Sequence, residues 1–253
     1  MLSKHPRFLP IYSGAVTAAL LVTLLAAFDQ PGSDTASFAS IDVQRLRLVE
    51  PDGTVRLILA SNARMPGLIF NGTEYPHEAR KAYGTAGMWF FDAEGNESGG
   101  LSFGGRREAD GKIVRFGRLS FDQYAQDEML TLGTVQEGKE KHGGLTLKDQ
   151  PDWPLEDLVK IIVAHKDDMP EVRQKAIDAF TASHPGKSHV QRVWLGSNDD
   201  HSSSLELKDD QGRPRLVAKV TADGTPTLLF LDEHGKVINR LQAGSAGPAP
   251  NQR

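Results

Sequence analysis

The strongest constraint on the fold of this chain is a short turn pattern between apolar runs, in which an acid is followed by two residues and then a glycine. The clearest copy lies at residues 232–235, with an apolar run on each side. The acid of a type I turn accepts a hydrogen bond from the backbone two residues on, and the glycine adopts positive φ at little cost. The pattern predicts a three-residue hairpin loop with a G1 bulge, which sets the register of both arms.

Copies of this pattern recur along the chain. Clear copies lie at residues 50–53, 92–95 and 209–212, and weaker ones at 108–111 and 221–224. Arg56 and Arg215 each follow the glycine of their copy by three residues. The recurrence indicates internal repetition of one hairpin unit. A β-meander that reuses favourable turns is the alternative interpretation.

The segments between the turns have the alternation of half-buried strands. Leu46 and Leu48, for example, alternate with Arg45 and Arg47, which is the two-residue period of a strand. We therefore predict a mainly β fold of repeated β-hairpins in a sandwich- or barrel-like packing. One continuous curved sheet and two β lobes that bracket a helical segment stay open as alternatives. A sandwich is preferred because sheet edges must be covered or closed.

One stretch changes from the strand period to a helical period. Leu155, Leu158, Val159 and Ile162 fall on one face of a helix at 3.6-residue spacing, and a second helix is predicted after Pro170. This pattern predicts an inserted helical pair. The pair either packs on the sheet or docks an envelope protein partner through residues 153–184.

The amino-terminal segment predicts a membrane anchor. Lys4 and Arg7 precede an uncharged stretch at residues 8–28, and Asp29 and Asp34 follow it. This charge order favours a single-pass signal anchor through residues 8–28, with a cytoplasmic amino terminus and an extracytoplasmic globular domain. A cleaved signal peptide is the alternative.

These patterns divide the 253 residues into six segments. The predicted segments are a cytoplasmic tip and transmembrane signal anchor at 1–28, a linker at 29–40, a β-hairpin region at 41–150, a helical insertion at 151–186, a second β-hairpin region at 187–241 and a disordered tail at 242–253. The tail is rich in Gly, Ala, Pro and Gln and cannot bury enough apolar surface to fold.

Composition and motifs narrow the classes of function. The net charge of −4 provides no basic field for nucleic acid, and the absence of cysteine excludes disulfides and thiolate catalysis. No spacing of residues indicates a metal site or a cofactor, so none is expected. We therefore expect a non-enzymatic binding or structural module of the cell envelope. The alternative is an envelope hydrolase that acts on carbohydrate with carboxylates dispersed in the sequence.

Residues 71–85 form the candidate binding segment. This stretch interrupts the strand pattern and holds Tyr75, His77, Arg80 and Tyr83. Aromatic rings can stack on a ligand and the cationic groups can donate hydrogen bonds, and long loops often carry function. A solvated insertion with no binding role is the alternative.

The extended repeat motif supports one resemblance. The pattern Leu-x-Leu-x-Asp-x-x-Gly-x-x-Arg occurs at residues 205–215, and a broken form occurs at 229–240. In this respect the chain resembles uncharacterised bacterial proteins that carry an N-terminal membrane segment and Asp-x-x-Gly β-hairpin repeats. The resemblance covers only part of the chain and implies an architecture, without an activity or a catalytic residue.

Overall fold

The computed structural model describes residues 35–184 and 189–242. The predicted anchor at 1–28 and the tail after Gln242 lie outside these residues. The chain divides into two compact units after Asp42, and the second unit is described here. It is mainly β, as predicted. Among the described residues, no helix combines the length and the apolar character that crossing a bilayer requires.

Twelve of the fourteen strands in the described residues form one antiparallel sheet, in the order β1-β2-β5-β6-β7-β8-β9-β10-β11-β12-β13-β14, and β3 and β4 form a separate two-stranded sheet. The strands are β1 Arg45–Val49, β2 Val55–Ala60, β3 Leu68–Phe70, β4 Thr73–Tyr75, β5 Ala86–Phe91, β6 Glu97–Arg107, β7 Ile113–Asp122, β8 Glu128–Glu137, β9 Glu140–Asp149, β10 Val190–Ser197, β11 Ser203–Lys208, β12 Pro214–Val220, β13 Pro226–Leu231 and β14 Val237–Gln242.

The strand order corrects the predicted packing. The strands of the large sheet pair in the order in which they occur in the chain, with β3 and β4 omitted between β2 and β5, and β1 and β14 are the two edges. The described strands therefore form the continuous sheet that was one open alternative, and the preferred sandwich or closed barrel is not found among them. The short turns explain this outcome, because each one returns the chain beside the strand that it has just left.

The predicted bulged turns are confirmed. At the last hairpin, the Gly235 N–H donates to the Asp232 carbonyl at 3.1 Å, and Asp232 Oδ1 accepts the N–H groups of His234 and Lys236 at 2.9 Å each. Gly235 has a φ of 77°, and the strand register shifts before Leu231. The glycines of the other five predicted copies also have positive φ.

An arginine connects each of two turns to the next hairpin along the sheet. Arg215 donates from Nη1 to Asp209 Oδ2 of its own turn at 3.4 Å, and from Nε to the Leu231 carbonyl at 3.1 Å. Leu231 is the residue at the bulge of the next hairpin on this end of the sheet. The same pair of contacts recurs at Arg56, Glu50 and Phe91. The repeat motif is therefore a structural unit that joins successive hairpins.

In-register pairing gives the sheet an apolar face. One residue from each of the twelve strands lies directly opposite the next in an unbroken row, which we call the leucine row. Its members are Leu46, Leu59, Met88, Leu101, Leu119, Leu132, Leu145, Leu195, Leu205, Ala218, Leu228 and Leu241. A second row on the same face contains Leu48, Leu57, Phe90, Gly99, Phe121, Leu130, Leu147, Val193, Leu207, Leu216, Phe230 and Asn239.

The opposite face, here called the polar face, carries two insertions that enter from opposite ends of the strands. The first insertion, residues 61–85, connects β2 to β5 and contains β3, β4 and a 3₁₀ segment at Glu78–Gly84. The helical insertion, residues 150–189, connects β9 to β10 and contains α1 Leu155–Ala164 and α2 Pro170–Ser183. The predicted helical pair is thus confirmed. The buried core consists of Ile58, Ala60, Met65, Ile69, Trp89 and Phe91, from the first insertion and the strands that it covers.

We predict that Gly235→Val destabilises the purified full chain by about 1–2 kcal/mol, because a β-branched residue is strained at positive φ. A Cβ at this position would meet no atom within 4 Å, so the cost arises from the backbone alone. Gly235→Asn is the matched control, since asparagine tolerates this conformation better. Urea unfolding measures both, and equal midpoints for the wild type and Gly235→Val would contradict the turn assignment.

Candidate functional site

A cavity of about 750 Å³ lies between the polar face and the two insertions. Its floor is built from small and hydroxyl side chains on four adjacent strands, where Gly100, Ser120, Thr131 and Thr146 lie directly opposite one another in sequence. On a sheet covered only by apolar packing these positions would carry large apolar residues. Small side chains leave space above the strands instead, and that space is the cavity.

Two tryptophans flank this floor, and two glycines leave the space in which the ring of the second, Trp194, lies. Trp89 precedes Gly100 in the row of opposed residues, and Trp194 follows Thr146. A Cβ on Gly144 or Gly196 would lie 2.9 or 2.7 Å from the Trp194 ring. The ring therefore lies over two glycine backbones, and it lines the cavity while Nε1 donates to Asn198 Oδ1 at 3.0 Å.

The two insertions join above the polar face through Glu156 of α1. Its carboxylate accepts from the Tyr75 hydroxyl at 2.6 Å and from Asn71 Nδ2 at 3.1 Å. The hydrogen bond from Tyr75 lowers the pKa of Glu156. The start of α1 is also attached to the β7–β8 turn, where the Leu155 N–H donates to the Ala125 carbonyl at 2.9 Å. Insertions that are far apart in sequence therefore form one cover.

The cover presents apolar side chains to the cavity. Leu155, Val159, Ile162 and Val163 of α1 line it, and these include three of the residues whose spacing predicted an amphipathic helix. The site is therefore amphipathic, with an apolar cover, a hydroxyl-bearing floor and an aromatic ring at one end.

Acidic side chains collect in this cavity. Glu97, Asp122, Asp127 and Glu128 all line it. Glu97 forms an ion pair with Arg80. Glu128 forms ion pairs with Arg118 at 2.5 Å and with Lys148 at 3.3 Å. Among the described residues, Asp122 and Asp127 have no ion pair, so no cation compensates either carboxyl group once it is ionised.

Two of these carboxyl groups are incompletely satisfied. Glu97 Oε2 and Asp122 Oδ1 are buried and have no hydrogen-bond partner among the described residues. Burial, reinforced by the neighbouring acids Glu97, Asp127 and Glu128, raises the pKa of Asp122 to about 8. Burial also raises the pKa of Glu97, although Arg80 opposes this effect. A buried oxygen without a partner is costly, and a cavity is where a ligand can supply the missing donor.

The four residues predicted for binding lie close to this site. His77, Arg80 and Tyr83 line the cavity, whereas Tyr75 is part of the cover through its bond to Glu156. Arg80 lies over the Trp89 ring at 5.7 Å and donates to the Gly67 carbonyl at 2.8 Å. Burial and the charge of Arg80 lower the pKa of His77. The role of the four residues in binding stays a prediction.

Sequence reasoning missed Glu97, Asp122 and Trp194 as candidate site residues. Glu97 and Asp122 are strand residues beside hairpin turns, and the turns accounted for most acids of this chain. The alternation of side chains along a strand could have identified Asp122. Because Phe121 belongs to the apolar face, the next residue, Asp122, lies on the opposite face. Searches against protein-family models and against curated proteins find no match to this chain.

We predict that Asp122→Asn removes a pH dependence of stability. The raised pKa of Asp122 means that its contribution to stability is fully present below about pH 4 and is lost as the pH rises through about 8. The variant should therefore gain stability relative to the wild type between pH 5 and 8.5, by roughly 2–4 kcal/mol. Urea unfolding at both pH values measures this difference. Asp178→Asn, at an exposed position of α2, is the control, and parallel pH profiles for wild type and Asp122→Asn would refute the assignment.

We further predict that Tyr75→Phe loosens the cover, because α1 loses its hydrogen bond to the first insertion. Hydrogen exchange of the amides in α1 should become faster by roughly three- to tenfold. Tyr124→Phe is the matched control, since Tyr124 donates to Glu94 Oε2 at the same 2.6 Å and both of these residues lie outside the two insertions. Unchanged exchange in α1, or the same change in both variants, would show that Tyr75 does not hold the cover.

Proposed function

We propose that this chain is a membrane-tethered, extracytoplasmic, non-enzymatic binding module, and that the cavity under the two insertions is its ligand site. The observation that carries the proposal is the pair of buried, unpartnered carboxyl oxygens on Glu97 and Asp122, both of which line the cavity. Tethering is supported by the charge order around residues 8–28.

The charges of the site favour a cationic ligand. Arg80 is engaged by Glu97, and Arg118 by Glu128, so these cations are already compensated. Asp122 and Asp127 have no such partner among the described residues. An ammonium or guanidinium group would supply hydrogen-bond donors to the unpartnered oxygens, and its positive charge would favour the ionised form of Asp122.

The remaining surface of the cavity favours an apolar body on the same ligand. The side chains of α1 provide apolar contact, and the Trp194 ring provides a surface for stacking. A volume of about 750 Å³ falls within the usual range of small-molecule sites. We therefore propose an amphipathic organic cation as the class of ligand.

The carboxyl groups also support a second candidate, the carbohydrate-acting envelope hydrolase. A buried carboxyl group with a pKa of about 8 is protonated at neutral pH, which is the state that a general acid requires. Glu97 lies near enough to raise that pKa further. The binding module is preferred because Glu97 is held by Arg80 in an ion pair, which opposes its use as a free base.

Residues 153–184 are proposed in addition as a contact for an envelope protein. Met169 is 67% exposed and Val172 is 41% exposed, which supports a contact through the start of α2. Phe180 is buried against Trp153, with ring centroids 5.2 Å apart, and therefore holds the insertion together.

Titration of the purified full chain with n-octylamine and with octanoate tests the ligand class, because these probes share one apolar chain and differ in the sign of the head group. We expect octylamine to bind and octanoate to bind at least tenfold more weakly. Affinity for octylamine should rise between pH 6 and 8.5 as Asp122 loses its proton. Asp122→Asn should weaken octylamine binding by about 10- to 100-fold, since a hydrogen bond to a charged group contributes roughly 1.5–3 kcal/mol, and should remove the pH dependence.

Asp178→Asn again serves as the control and should bind like the wild type. Equal affinity for both probes, or an affinity unaffected by Asp122→Asn, would overturn the proposed site. Hydrolysis of a chromogenic glycoside by the wild type, lost in Asp122→Asn, would instead favour the hydrolase.

A further inference from the structure

The apolar face is the largest feature of the sheet that the cavity does not use. The leucine row crosses all twelve strands and contains ten leucines, one methionine and one alanine. The second row departs from apolar side chains only at Gly99 and Asn239. Both insertions lie on the opposite face, so neither covers these rows.

The side chains of this face are accessible to solvent. Leu132, Leu195 and Leu241 are 50%, 53% and 56% exposed, and no apolar side chain of either row is buried. Soluble monomers rarely expose a continuous apolar patch larger than roughly 300–600 Å². A face of this kind therefore requires an occupant.

The dimensions of the face match those of a stable dimer interface. Eleven steps between adjacent strands, at about 4.8 Å each, extend the rows over roughly 53 Å. The two rows lie about 7 Å apart and, with the width of their side chains, cover roughly 14 Å along the strands. Multiplied by the length across the strands, this width gives the face an area of about 740 Å². A standard stable interface buries about 800 Å² on each partner. Twist prevents contact over the whole length, yet three quarters of the face still reaches about 560 Å², close to the lower limit of roughly 600 Å² per partner for such interfaces.

The chemistry of the face identifies the occupant as a second copy of this chain. Neither row contains a charged residue, so the two rows themselves offer nothing to attract a charged protein or an anionic lipid surface. A second copy presents the same uncharged surface with the same strand spacing, and a two-fold axis makes such a surface complementary to itself. We propose that two copies pair through their apolar faces and so form, between chains, the two-layer packing that the single sheet lacks.

Cross-linking of single cysteines tests this pairing, because the natural chain contains no cysteine. Leu132 and Leu145 lie on β8 and β9, the two central strands of the sheet. A two-fold axis near the centre brings these positions close to their equivalents in the partner. Leu132→Cys and Leu145→Cys chains, produced at full length in cells, are treated with a bis-maleimide after cell breakage. We expect a product of twice the chain mass in at least one of them.

Thr131→Cys is the matched control, since it is adjacent to Leu132 on the same strand and belongs to the polar face. It should give at least fivefold less of the doubled product. Adding Leu195→Asp to the cross-linking variant should reduce the product at least fivefold, while the far-ultraviolet circular dichroism of the purified chain keeps its β signature.

Four outcomes would overturn the proposal. The first is the absence of a doubled product from both apolar-face cysteines, and the second is an equal yield from Thr131→Cys. The third is a main product whose mass corresponds to a different protein or to a photoactivatable phospholipid added to the same cells. Retention of the doubled product in the folded Leu195→Asp chain would also contradict pairing through this face.

Discussion

In-phase pairing of the twelve strands is the constraint on which the rest of this structure depends. Side chains alternate with a period of two along a strand, so a slip of one residue would move a whole strand from one face to the other. The bulged turns prevent this slip by fixing where each arm begins. Arg56 and Arg215 add a contact between successive hairpins, so the register of one pair is tied to that of the next. The unbroken leucine row is the direct result.

The same fixed strand register also produces the polar face, and the candidate site lies on that face. Once the leucines lie on one side, the alternate positions of β6 to β9 all lie on the other, and the central ones hold Gly100, Ser120, Thr131 and Thr146. Two insertions that enter from opposite ends then meet above this small-residue floor at Glu156. A cavity follows because side chains of this size cannot fill the space beneath α1. The site is thus a product of register and topology together.

Charge explains why this cavity differs from a packed core. Burying Asp122 next to other acids is unfavourable, and the raised pKa of its carboxyl group expresses that cost. Arg80 compensates the charge of Glu97, but one carboxyl oxygen of Glu97 and one of Asp122 have no hydrogen-bond partner among the described residues. Native proteins concentrate such unfavourable groups at functional sites more often than elsewhere. Binding of an amphipathic cation would relieve the cost of burying these carboxyl groups. Pairing of the apolar faces would remove a different unfavourable feature, the exposure of leucine side chains to water.

The sequence by itself determined the local structure of this protein. The turn glycines, the alternating strands and the helical pair were all predictable, because each depends on residues within one hairpin or one helix. The first insertion was recognised as an interruption and three of its four selected residues line the cavity, yet the acids opposite them were missed. Only the tertiary structure decided that the strands form one open sheet, that Trp194 lies over Gly144 and Gly196, and that Asp122 is buried beside Glu97. These features depend on contacts between strands and insertions far apart in the chain, and turn chemistry carries no information about which distant segments meet.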